Sequence, residues 1–167
     1  MVLGTKTGLW ISELLSVQIG DALDERGRFR PSIYVRSSAM KGKTAGRRLP
    51  LSPSTRGSLG RWLVQLRRTK EILRPDWPLF SSREGDGLIA LSRKSAHRIY
   101  ANAAEAARLE PGISTHSCRK WVSREVYARS EKCLITTGTV LGHRSIKTTW
   151  RYCLGLTTEV NKLLVGI

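Results

Sequence analysis

Apolar residues fall at helical spacing from the first turn of the chain. Leu9, Trp10, Ile11, Leu14, Leu15 and Val17 cluster on one broad face after Gly8, with Ser12, Glu13 and Ser16 elsewhere. Residues 8–18 are therefore expected to form a helix packed on a core. Gly, Asp and Arg between Gly20 and Pro31 mark a polar connection, after which Ser32 to Arg36 alternates as a strand does. Arg47 to Leu51 makes a second strand, and Met40 to Gly46 between them, with two glycines, suits a hairpin tip. Pro50 restricts that strand to an edge or its end.

Helical periods dominate the chain beyond the second strand. Leu59, Trp62, Leu63, Leu66 and Ile72 are spaced for a helix over 54–72 with a basic outer face. Pro75, Pro78 and the Ser81 to Gly87 run then break the pattern into a loop. Ala96, Ile99, Tyr100, Ala103, Ala104 and Ala107 mark another helix within 92–109, stopped by Pro111 and Gly112. Thr115 can cap the next one, which carries His116, Arg119, Trp121, Val122 and Val126. A break is expected at Thr136 to Gly138, then a helix from Ser145 or Thr148 through Tyr152, and a short amphipathic tail helix over 158–164. The fold class is mainly α with one small antiparallel sheet, in one domain spanning 1–167.

Charge narrows the partner. Among 167 residues, 29 Lys and Arg face 13 Asp and Glu, a formal +16. Such an imbalance costs self-repulsion unless a polyanion relieves it, which makes DNA or RNA the leading partner. A chain of this length buries roughly 70% of its unfolded surface and needs no staples. Cys118, Cys133 and Cys153 are an odd count without a C-x-x-C pair, so neither a disulfide framework nor a structural metal is expected. No stretch approaches the roughly 20 apolar residues of a membrane span, and the chain reads as cytoplasmic, on the nucleoid if bacterial.

The last third carries a spaced polar set: His116-Ser117-Cys118-Arg119, Leu141-Gly142-His143, and Tyr152 nine positions on. In-line cleavage of a phosphodiester needs a nucleophile, cations for the non-bridging oxygens and an acid for the leaving oxygen. Tyr152 can be the nucleophile if nearby cations favour its phenolate. Arg119 offers a planar fork for phosphate, and His116 lies one turn before it on the same helix. His143 can donate a hydrogen bond or shuttle a proton. Lys41 and Lys43 sit at the hairpin tip, where a lysine can reach a leaving oxygen. Each piece alone reads as readily as packing or as a solvated turn charge. Their order is what points to chemistry.

That order resembles the catalytic domain of the tyrosine recombinases, the phage integrase family, over essentially the whole chain. The matching stretches are Thr7 to Leu15, Lys41 to Thr44 with Arg48 to Leu51, Thr115 to Lys120, and Leu141 to Tyr152. The resemblance implies that Tyr152 attacks to form a 3'-phosphotyrosine and that His116, Arg119 and His143 bind the scissile phosphate. It makes Lys41, or alternatively Lys43, the general acid. It also implies strand exchange on double-stranded DNA by four protomers, with no cofactor and no metal, the fragment alone being monomeric. Family members carry an N-terminal clamp domain and commonly a further helix before the first motif, and neither is expected within these residues. In them the terminal helix docks on a neighbouring protomer, although 158–164 would serve equally to close this chain's own core.

One position departs from the pattern. The first motif reads T-G-L-R-I-S-E-L in the family, and its arginine clamps the phosphate; this chain has Trp10. Losing one such donor costs on the order of 3 kcal/mol of transition-state stabilisation. Lys6 and Arg144 are the candidate substitute cations, and Glu13 is expected to support the site or pair with a basic side chain. A non-catalytic DNA-binding relic and a type IB topoisomerase are the rival readings.

Overall fold

The computed structural model describes residues 2–40, 46–70 and 72–153. Lys41 and Lys43 and the tail helix expected over 158–164 lie outside the described residues. The helices are α1 Val2–Thr7, α2 Ile11–Leu15, α3 Ile19–Ala22, α4 Pro53–Thr69, α5 Arg93–Ala106, α6 Thr115–Arg129, α7 Leu134–Leu141 and α8 Ile146–Cys153; the strands are β1 Ser32–Val35 and β2 Arg47–Pro50. The mainly α fold with one small antiparallel sheet is as the apolar pattern implies.

The single helix expected over residues 8–18 is a correction. Gly8 takes φ +62° and ends α1, and a Cβ there would meet Leu141 Cδ2 at 3.0 Å and Val122 Cγ1 at 3.1 Å. Only glycine brings the end of α1 so close to α6 and α7. Glu13 Oε2 then accepts the Trp10 N–H at 2.9 Å, starting the short α2. Val17 belongs to no helix, because its carbonyl accepts from the Leu79 N–H at 2.8 Å. The apolar run is thus shared between two short helices and a backbone bridge to residues 77–79.

Strands β1 and β2 pair antiparallel, Ser32 with Pro50 through Val35 with Arg47. Pro50 opposes the first residue of β1, the strand-end placement its missing N–H requires. Ile33 and Val35 are buried in the same core as Leu14, Val17, Leu59, Leu63 and Leu79. Ser52 caps α4 through Thr55 N at 3.3 Å, and Ser92 caps α5 through Ser95 N at 3.0 Å. At α6 the cap is Ser114, one residue before the expected Thr115.

The expected break at 136–138 is not present. Helix α7 runs through it, with Thr137 Oγ1 donating to Cys133 O at 2.8 Å and Gly138 packed so tightly that a Cβ would lie 2.9 Å from Thr149 Oγ1. The glycine is a contact point between α7 and α8 rather than a stop. Gly142, at φ 66°, is the residue that ends α7.

Candidate active site

Three segments distant in sequence meet at Arg119. Its guanidinium donates from Nη1 to the Gly8 carbonyl and from Nη2 to the Leu141 carbonyl at 2.7 Å. Those carbonyls are the C-terminal ends of α1 and α7, where helix oxygens lack internal partners and a cation is favoured. Arg119 is only 1% exposed, and burial pulls its pKa down to about 10. The arginine is therefore as much a bracket between chain segments as a potential anion ligand.

Trp10 fills the space beside it. The Arg119 guanidinium carbon lies 4.6 Å from the Trp10 ring centroid, a cation–π contact. His116 meets the same indole edge-on at 5.4 Å and Tyr152 at 6.2 Å between centroids. The residue at the variant position is thus the hub of the cluster. His116 itself, in the first turn of α6, is exposed.

Tyr152 projects from the last turn of α8, with its ring 5.2 Å from His143 and 5.9 Å from the Arg119 guanidinium carbon. Burial raises the pKa of its phenol, and the Arg119 charge works against that rise. His143 follows the left-handed Gly142, its N–H bonded to Gly138 O at 2.8 Å and its Nδ1 3.0 Å from Thr149 Oγ1. The structure thus assembles Tyr152, Arg119 and His116 around Trp10, with His143 against the Tyr152 ring.

Two residues missed from the sequence also belong here. Arg47, at the start of β2, donates to Val140 O at 3.0 Å and pairs with Glu13 at 3.5 Å. Burial lowers its pKa, and the Glu13 carboxylate opposes the shift. Glu13 thereby does what was expected of it, holding both the Trp10 backbone and a basic side chain. The only signal for Arg47 was its place in a basic strand, which is no signal of depth. Thr149 is the second, an undistinguished threonine in the run before Tyr152.

Of the substitute cations named from sequence, Lys6 lies away from the cluster and Arg144 at its edge. Lys6 is exposed, with its ammonium 6.0 Å from the Trp121 ring centroid. Arg144 is exposed and lines a cleft of about 400 Å³ together with Trp10, Glu13, Met40 and His143. Trp121 and Trp150 are 47% and 51% exposed. Cys118 and Cys153 are buried neighbours of the site, and His97 is on the surface. Among the described residues no cluster of His, Cys, Asp or Glu could hold a metal ion, and no helix is long and apolar enough to cross a membrane.

Solved structures of site-specific recombinases share this helical fold. The XerH site-specific recombinase bound to its difH substrate superposes with a TM-score of 0.72 at 20% identity, over 99% of this chain and 43% of that one. XerA recombinase gives 0.69 at 21% identity, over 89% and 49%. The Tn1549 transposon integrase with transposon right-end DNA gives 0.65 at 18%, over 90% and 52%. This chain therefore spans about half the length of the recombinases it resembles. No curated protein sequence matches it. The phage integrase family model matches residues 1–156, and the chain belongs to that family.

Proposed function

We propose that this chain is the catalytic domain of a site-specific DNA recombinase or integrase in which Trp10 impairs strand cleavage. In the reaction Tyr152 attacks the scissile phosphate, the phosphorus–5'-oxygen bond breaks, and a 3'-phosphotyrosine and a 5'-hydroxyl result. His116, Arg119 and His143 bind the phosphate, and Lys41, or alternatively Lys43, protonates the leaving oxygen. Strand exchange on double-stranded DNA then requires further protomers in a synaptic tetramer. The XerH and Tn1549 structures are themselves complexes with DNA, and the +16 charge of this chain suits the same partner.

The observation that carries the reading is the convergence of Tyr152, Arg119 and His116 on one indole, with His143 against the Tyr152 ring. The same contact supports the impairment. The ring lies over the guanidinium, where a second arginine would supply a forked donor instead. If Trp10 silences the site completely, the chain is a DNA-binding relic of the family.

A nicked suicide duplex tests the reading. A covalent adduct, faint at high protein and lost in Tyr152→Phe, is expected; an undiminished adduct in Tyr152→Phe would sink the assignment, and none at any concentration would favour the relic. DNA affinity should fall steeply with salt, because phosphate contacts release counterions. Relaxation of supercoiled plasmid without recombination would favour a type IB topoisomerase.

A further inference from the structure

We propose that Thr149 is a positioning residue that holds the neutral His143 imidazole with its proton on Nε2, ready to donate to a phosphate oxygen. The proposal deepens the recombinase reading and rests on it.

Thr149 is 0% exposed, with Oγ1 3.0 Å from His143 Nδ1. Its seat is tightly built. Gly138 leaves room for the hydroxyl, since a Cβ there would come within 2.9 Å of it, and the Gly138 carbonyl also accepts the His143 N–H at 2.8 Å. Ring and hydroxyl are thus fixed from the same turn of α7.

The direction of the bond follows from the partners. A hydroxyl can donate or accept, whereas a neutral imidazole has one N–H and one bare nitrogen. On α7, the Thr137 and Thr139 hydroxyls donate to carbonyls four residues back, Cys133 at 2.8 Å and Ile135 at 2.9 Å. The Thr149 hydroxyl instead faces His143, with no carbonyl partner among the described residues. Its proton goes to Nδ1, and the ring proton is left on Nε2. Phosphate oxygens only accept, so this tautomer can bind one without a net charge on the ring.

Thr149 also lies three residues before Tyr152, on one face of α8. The helix that carries the tyrosine therefore also sets the tautomer of the histidine beside it. Thr149→Val keeps the shape and removes the donor, while Thr149→Ser keeps the donor.

Long-range proton–nitrogen NMR on the full chain with labelled histidine, above the imidazole titration range, reads the tautomer directly. His143→Gln assigns the signal. The wild type and Thr149→Ser should carry the proton on Nε2. Thr149→Val should shift the ratio toward Nδ1–H by about fivefold, the ratio that a net hydrogen bond of roughly 1 kcal/mol supports. A wild-type His143 protonated on Nδ1 overturns the proposal whether or not Thr149→Val folds, as does an unchanged ratio in a folded Thr149→Val. The measurement contains no DNA, so a failure of cleavage bears on the recombinase reading and not on the tautomer.

Discussion

Replacing Trp10 with arginine should exchange stability for chemistry. The indole lies 4.6 Å from the Arg119 guanidinium carbon, and a partly desolvated contact of that kind is worth about 1–2 kcal/mol. An arginine in its place loses that contact and sets a second cation beside Arg119. Two unit charges at such a separation repel by about 3–4 kcal/mol at an effective dielectric near 20. Glu13, whose carboxylate already receives the Trp10 backbone N–H, offsets part of this. With about 2 kcal/mol returned by Glu13, the free Trp10→Arg protein should unfold more easily by roughly 2–4 kcal/mol. A phosphate between the two guanidiniums reverses the sign of the interaction, so DNA should raise the melting temperature of the variant more than that of the wild type. Cleavage should rise by about a hundred- to a thousandfold, the usual effect of one preorganised donor. The assay is adduct formation on a nicked duplex, alongside thermal melts with and without DNA. An adduct yield unchanged in a variant that folds and binds DNA would refute the reasoning, because position 10 would then not be what limits the site.

Gly8→Ala should destabilise by roughly 1–3 kcal/mol, combining strain at φ +62° with overpacking against Leu141 and Val122, as chemical denaturation would read. The Tyr152 phenol should titrate above the usual tyrosine value of about 10, because burial disfavours its charged form. A raised folded pKa means that the stability owed to neutral Tyr152 is fully present below about pH 10 and lost as pH rises through the higher folded value. Urea unfolding of wild type and Tyr152→Phe across pH 8–11 should therefore show a constant difference below pH 10 that changes against the wild type above it.

The candidate site residues stood out in the sequence because their order and spacing form a pattern. Helical periodicity put His116 and Arg119 on one side of α6, and Gly142-His143 precedes the helix that carries Tyr152. Depth was not legible. Periodicity gives direction around an axis but not distance from the core, so exposed His116 and buried Arg119 read alike. Arg47 was hidden for a related reason, since its partner Glu13 is 34 positions away and only folding joins them. At Gly8 the apolar face of a helix was read across a residue whose left-handed backbone ends one. Gly138 misled in the opposite way: a glycine used for close helix packing looks, in sequence, the same as a glycine that stops a helix.

Arg119 and Tyr152 should respond differently to substitution, and the contrast separates scaffold from chemistry. Arg119 holds Gly8 of the first motif and Leu141 of the last through two buried hydrogen bonds. Bonds from a charged donor contribute about 1.5–3 kcal/mol each, and leaving both carbonyls unpaired should make Arg119→Met less stable by roughly 3 kcal/mol or more. Selection for a folded protein alone would therefore retain this arginine, so its presence says little about whether the chain still cuts DNA. Tyr152 meets Trp10 and His143 through ring contacts that a phenylalanine keeps, and gives up only the interaction of its hydroxyl with the Arg119 guanidinium. Tyr152→Phe should consequently unfold within about 1 kcal/mol of wild type at neutral pH while forming no adduct. Urea denaturation of both variants decides the point. Should Arg119→Met prove as stable as Tyr152→Phe, the bracket between α1, α6 and α7 is not a structural one, and the retention of Arg119 would then speak for catalysis after all.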